Sequence, residues 1–231
     1  MALRGKGMLV VYCEVKSRDE RDLNEWYNRE HIDERLDAPG LNRARRYVAL
    51  SGSPKYLATY ECDHVSDLAA NGYLKYVANP TPWTRAVTAR FTKFKRLTVR
   101  VQVDLAHGAG GIVTTVRFVP DPHKGKALVA WLEKTALPRA IKRPDLVGAF
   151  AVENDLDVAN APQKSRSMDH PRVEEAEWVV FLEGADPAAT AAAARQTLTL
   201  ASLKRFGVTT APAVGTYRLL FGNDAPAKRR D

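Results

Sequence analysis

Residues 23–41 read LNEWYNREHIDERLDAPGL, and residues 128–146 read LVAWLEKTALPRAIKRPDL. Laid over each other, the two stretches match leucine at both ends, Trp26 with Trp131, and Pro39 with Pro144, all at one offset of 105. Coincidences at a single offset mark an internal repeat, which must be recognised before any motif is weighed. The same order of elements surrounds both stretches. The first copy opens with an apolar run at 8–16, then a charged stretch of helical spacing at about 18–37 that Pro39-Gly40 ends. Strand-like runs follow at about 41–50 and 56–62 around the turn Ser51-Gly52-Ser53-Pro54, then a shorter helix at about 64–78 and a β-rich run at about 91–104. The second copy repeats this with strands at 111–119, 146–154, 177–183 and 214–221, a helix at about 122–137 and an Ala-rich helix at 187–203. Further along, the offset grows to 122, pairing Glu61 with Glu183, Arg96 with Arg218 and Leu97 with Leu219. The step from 105 to 122 places about seventeen extra residues in the polar stretch 155–172.

A β-α-β-β-α-β unit forms a four-stranded antiparallel sheet with both helices on one face, leaving the other face to be covered. Two such sheets cover each other, and strands apolar on both sides, as with Val10 and Tyr12 against Leu9 and Val11, fit that arrangement. The predicted fold class is α+β: a first ferredoxin-like unit at 1–105, a second, degenerate one at 106–224 carrying the insertion 155–172, and a basic tail at 225–231. The units pack sheet to sheet, and the chain acts as its own dimer. Pairing of two chains into a homodimer is compatible with this.

The chain has 231 residues, 45% of them apolar, enough for a sizeable core. The start, MALRGKGMLVVYCEV, lacks a small-residue cleavage site, and no run approaches the roughly 18 apolar residues of a membrane span. The expectation is a cytoplasmic protein without a membrane partner. Cys13 and Cys62 give neither metal spacing nor a disulfide framework. A net charge of +8 and a pI near 9.5 suit nucleic acid or a small anion. The positive residues are scattered and no nucleic-acid fold pattern accompanies them, so a small anionic or aromatic molecule is the expected partner and nucleic acid is not. His64, His107, His123 and His170 show no metal-ligand spacing, and no phosphate-binding glycine loop, dinucleotide fingerprint or nucleophile elbow is present. No cofactor is expected on these grounds.

The motif Trp26-Tyr27-x-x-Glu30-His31-x-x-Glu34-Arg35-Leu36-x-x-Pro39-Gly40, with Arg45-Arg46-Tyr47, Tyr56-Leu57-Ala58 and Pro80-Thr81-Pro82-Trp83, resembles the dimeric α/β-barrel superfamily. Within it the chain is most similar to EthD-like and muconolactone-isomerase-like proteins in tandem form. The motifs cover roughly residues 8–96; the second half is similar in pattern only. Where many relatives have proline two places after the histidine, this chain has Asp33. The superfamily includes isomerases, polyketide cyclases, cofactor-independent monooxygenases and haem-binding enzymes, so the resemblance implies a fold and leaves the reaction open.

On a helix, Leu23, Tyr27, His31 and Arg35 climb one face toward the sheet. Histidine suits acid/base work because its ordinary pKa of about 6.5 lies near neutrality. In the second copy Trp131 keeps the tryptophan, whereas Tyr27, His31 and Arg35 become Leu132, Ala136 and Ala140. A polar ladder present in one copy only is expected to serve function more than folding. His31 is therefore the candidate acid or base, with Tyr27 orienting it or donating to an oxyanion and Arg35 or Arg45 holding a carboxylate. Tyr47 shares a strand face with Arg45, Trp83 is a candidate pocket wall, and Glu14 and Glu61, in strands expected to be covered on both faces, are candidates for a second acid or base. Three functions remain open: a cofactor-independent isomerase or lyase, a non-catalytic small-ligand or stress-associated binder, and a monooxygenase or haem-binding protein of the same fold.

Overall fold

A computed structural model describes residues 3–161 and 172–226. Most of the insertion and the end of the basic tail, 162–171 and 227–231, lie outside the described residues. The first unit runs β1 (Gly7–Glu14), α1 (Glu20–Trp26), a π-helical turn (Tyr27–His31), α2 (Ile32–Leu36), β2 (Leu41–Ser51), β3 (Tyr56–Cys62), α3 (Asn71–Ala78), α4 (Pro82–Thr88) and β4 (Lys93–Asp104). The second runs β5 (Ile112–Phe118), α5 (Gly125–Trp131), a π-helical turn (Leu132–Ala136), α6 (Leu137–Ile141), β6 (Leu146–Asn154), α7 (Leu156–Ala159), β7 (Trp178–Gly184), α8 (Pro187–Thr197), α9 (Leu200–Leu203) and β8 (Ala213–Asp224).

Both units have the antiparallel strand order fourth-first-third-second. Pairing of β2 with β8 and of β4 with β6 joins their edges, and the eight strands close into one barrel. Closure removes every free sheet edge. The two-residue period of the strands then sorts side chains between two apolar environments. Met8, Val10, Tyr12, Leu57, Val99, Phe150 and Phe181 fill the barrel, with Phe150 stacked on Phe181 at 4.5 Å. Leu9, Val11, Cys13, Tyr56, Ala58 and Tyr60 instead face α1 and α2, against Leu23, Trp26 and Ile32.

The repeat extends to a helix irregularity. The π turns occupy residues 27–31 and 132–136, again at the 105 offset, with backbone N–H groups of Ile32 and Leu137 reaching the carbonyls of Tyr27 and Leu132. Pro138 follows the second turn at the position of Asp33 in the first, so the turn forms with or without proline.

Three expectations need correction. The stretch after α3, left unassigned in the sequence, is helical: Thr81 caps α4, its Oγ1 accepting the Thr84 N–H at 2.9 Å with Pro82 in the first turn, a helix start signal. The Ala-rich helix breaks after Thr197 and restarts under a Thr199 cap. Glu14 is not doubly covered; it ends β1, where its carboxylate lies 3.2 Å from Lys93 Nζ and 3.3 Å from Ser53 Oγ near solvent.

One end of the barrel holds buried charge. Glu61 and Glu183, equivalent by the repeat and each 1% exposed, share Arg45, whose Nη2 and Nη1 reach them at 3.2 and 2.7 Å. Arg43 adds a two-pronged bond to Glu61, both N···O distances 2.9 Å. Burial raises the Glu183 pKa while Arg45 pulls it down. Removing one member of a buried ion pair costs more than the pair contributes, about 3–5 kcal/mol. Arg45→Met should therefore lower unfolding stability by about that amount, and adding Glu183→Gln should recover part of the loss, both read by urea unfolding.

Candidate functional site

The π turn decides where His31 sits. Residues five apart come into register when the backbone bond spans five residues, and the imidazole stacks on Trp26 with centroids 4.0 Å apart and planes at 25°. Tyr27 and Tyr60 meet it edge-on at 5.4 and 6.1 Å. The ladder expected from regular helical spacing is thus replaced by a tighter cluster, because the turn brings His31 over Trp26. Trp26 is held in turn by its Nε1 donating to Thr84 Oγ1 at 3.1 Å, and Glu30 accepts from Thr81 Oγ1 at 2.6 Å, so α4 is bolted onto the working helix.

Beside the stack lie Glu34, with Oε2 3.7 Å from His31 Nδ1, and Arg35, whose Nη2 is 3.9 Å from the same oxygen and whose guanidinium lies 5.9 Å over Tyr73. His31 Nδ1, Glu34 Oε2, Arg35 Nη1 and Tyr60 OH are all buried without a hydrogen-bond partner. Buried polar atoms are normally paired, and each unpaired one costs about 1–3 kcal/mol. The four lie in one cluster, and two of them, His31 Nδ1 and Glu34 Oε2, face each other at 3.7 Å. The cluster lies one side chain below the surface, since His31 and Glu34 keep 13% and 15% of their side-chain area exposed.

Burial lowers the His31 pKa to about 4, assisted by the Arg35 charge and opposed by Glu34. The imidazole is therefore neutral at pH 7, with a free nitrogen able to take a proton. Tyr27, buried, is pushed well above the usual phenol range and remains protonated. Cys13 faces Tyr27 rather than His31, and burial pushes its thiol up to about 11, so it is no nucleophile. In the second unit, Leu132, Ala136 and Ala140 fill the corresponding positions, all at most 1% exposed.

The other candidates do not join this cluster. Arg45, Tyr47 and Glu61 belong to the barrel interior, on the opposite face of the sheet. Strand alternation puts Arg46, not Arg45, under the helix, 4.6 Å over Tyr27 and donating to Asn28 Oδ1 at 3.1 Å and to Asn24. Trp83 Nε1 donates to Asp22 at 2.9 Å and pins α4 to α1. Glu34, Tyr60 and Arg46 are the residues that the sequence reading missed. Parity would have found two of them, since Arg46 pairs with Ala58 and both alternate with the barrel-facing positions.

Among the described residues no three His, Cys, Asp or Glu side chains gather as a metal site, and no helix is long and apolar enough to cross a membrane.

No protein-family profile matches the chain, and no curated protein resembles it closely enough to count as a relative. Solved structures do share its architecture. An anthrone oxidase-like protein superposes with a TM-score of 0.68 at 12% identity, covering 96% of this chain and 94% of the other. A Lactobacillus acidophilus NCFM protein assigned to the monooxygenases gives 0.55 at 10% identity, covering 96% and 97%. A protein assigned to the chlorite dismutases gives 0.53 at 13%, covering 94% and 96%. The chain has the dimeric α/β-barrel fold over nearly its whole length, with both halves supplied by one polypeptide.

The depressed His31 pKa has a stability consequence. The unfolded chain binds a proton near pH 6.5 that the folded chain refuses until about pH 4, so stability falls as pH drops through that window. The loss reaches at most about 3 kcal/mol. His31→Gln should flatten the unfolding free energy between pH 6.5 and 4 relative to the parent, measured by urea titration at several pH values.

Proposed function

We propose that the chain is a cofactor-independent oxygenase acting on a small, electron-rich aromatic molecule, with the His31 cluster as its proton-handling site. The observation that carries this reading is the set of four buried polar atoms around His31, three of whose side chains, those of His31, Arg35 and Tyr60, give way to Ala136, Ala140 and Leu182 in the twin unit. The names of proteins with the same fold add an analogy, which favours oxygenation over the isomerase or lyase chemistry that the same first step would also serve.

A phenol, hydroquinone or anthrone that enters past His31 and Glu34 presents its acidic proton to the neutral imidazole. As the imidazole takes the proton, the Glu34 carboxylate closes the 3.7 Å gap to Nδ1 and stabilises the imidazolium. Arg35 Nη1 and Tyr60 OH, both without partners, donate to the oxygen on which the substrate's negative charge develops. The resulting anion is electron-rich enough to reduce dioxygen. For a methylene substrate such as an anthrone the balance is CH2 plus O2 giving C=O plus H2O; for a phenol it is phenol plus O2 giving the para-quinone plus H2O, and for a hydroquinone it is hydroquinone plus O2 giving quinone plus hydrogen peroxide.

The test is oxygen uptake with a panel of hydroquinones, naphthols and anthrones. One class should support turnover, and His31→Phe, which keeps a ring on Trp26 but has no nitrogen, should lower kcat by about 10²–10⁴-fold without lowering the melting temperature. Uptake that survives His31→Phe, or a stoichiometric Soret band on addition of haem, would overturn the proposal.

A further inference from the structure

The second unit lacks the polar cluster but has a hollow of its own. Between α5–α6 and α8–α9 lies a cleft of about 250 Å³, walled by Trp131, Thr135, Arg139, Thr197, Ser202 and Arg205. We propose that it binds a small planar carboxylate, at a site separate from His31 and independent of the chemistry there.

The charge is one-sided. Arg139 and Arg205 line the cleft, no carboxylate does, and among the described residues neither arginine has an ion pair or hydrogen bond. Arg205 is already positioned: its guanidinium lies 4.7 Å over the Trp131 ring and 4.8 Å over Phe206, so its planar fork is held by stacking. A stacked guanidinium keeps its in-plane N–H groups free for a carboxylate.

A second observation points to a ligand. Thr197, only 6% exposed, lines the same cleft, and its Oγ1 is buried without a hydrogen-bond partner. Neighbouring hydroxyls on this segment are satisfied by contrast: Ser202 Oγ donates to the Thr197 carbonyl at 3.0 Å, and Thr199 Oγ1 accepts from the Ser202 N–H at 3.1 Å. Two uncommitted guanidinium groups on one hollow, with an unpaired hydroxyl buried in the wall behind them, form a donor set for an anion.

Size and wall chemistry restrict the ligand. A cavity of about 150 Å³ holds a benzene ring, so this cleft accommodates one aromatic ring with its carboxylate. In the first unit Trp26 is tied to Thr84 and Glu30 to Thr81, which holds α1 against α4. Thr135 and Arg139 stand where the first copy has Glu30 and Glu34, so the same positions have exchanged negative charge for neutral and positive groups.

Isothermal titration of the full chain with benzoate, 1-naphthoate and the neutral benzamide tests this. Benzoate or naphthoate should bind at one site per chain, and benzamide at least about 10-fold more weakly, as loss of a charge-assisted bond implies. The Arg139→Gln/Arg205→Gln double variant should weaken carboxylate binding by about 10–100-fold. Thr197→Val should weaken it by several-fold while leaving the melting temperature unchanged or raised, since it removes an unpaired buried hydroxyl. His31→Phe should leave binding unaltered, whatever becomes of turnover. Absence of binding heat with both carboxylates, equal binding of benzamide, undiminished binding by the double variant, or loss of binding in His31→Phe would each overturn the proposal.

Discussion

The two half-sheets join edge to edge, β2 to β8 and β4 to β6, and everything else about this molecule follows from that closure. An open four-stranded unit would show one apolar face and two unpaired edges to water. Closure buries both at once and gives each strand two apolar surroundings. The helices then cover only the outside of the barrel, and the layer between helix and sheet is a second core, separate from the interior. The barrel interior is not: Phe150 stacked on Phe181, and the Glu61–Arg45–Glu183 network, fill it.

Much of this was legible in the sequence because a repeat is a statement about structure that needs no motif. Strand positions, the order of elements and the doubly covered faces all follow from the 105 and 122 offsets with the two-residue alternation. The irregular parts were harder. Nothing in the composition of Tyr27–His31 announces a π turn, since its cause is a backbone hydrogen-bond choice and the second copy forms the same turn from LEKTA. α4 lies between the helix expected to about 78 and the strand expected from about 91, a gap left unassigned although Thr81 before Pro82 is a start signal. Arg45, Tyr47 and Glu61 were grouped with His31 because residue type was weighed ahead of strand parity. One residue along the strand is a change of face, and a sheet thickness separates the two sets.

The candidate site depends on that unannounced turn. In a regular α-helix, residues five apart point in quite different directions, and His31 would not lie over Trp26. The stack fixes the ring, and burial then removes its charge near neutrality. The imidazole is a weak base in this setting, and Glu34 at 3.7 Å stands where a modest movement would strengthen it. In the proposed reaction such a base is quiet until a substrate brings its own proton and negative charge, at which point Arg35 and Tyr60 have something to donate to.

Fusion of two units into one chain permits an asymmetry that a homodimer could not reach. Around the barrel axis Glu61 and Glu183 are equivalent, and a symmetric dimer would have to pair them with two arginines or none. This chain places Arg45 in one copy and Phe150 at the matching position of the other, so a single guanidinium serves both carboxylates while the second place becomes part of the aromatic stack. At the opposite end, the equivalent positions Tyr12 and Arg117 have likewise diverged, into a ring and a cation 4.5 Å apart. The outer surfaces follow the same logic. One helix pair is tied shut around a histidine and its unpaired neighbours, and the other leaves a cleft walled by tryptophan and two arginines. Once each position is encoded separately in the two copies, the closed barrel imposes shape on both but chemistry on neither, and the differences between the copies are where function is to be sought.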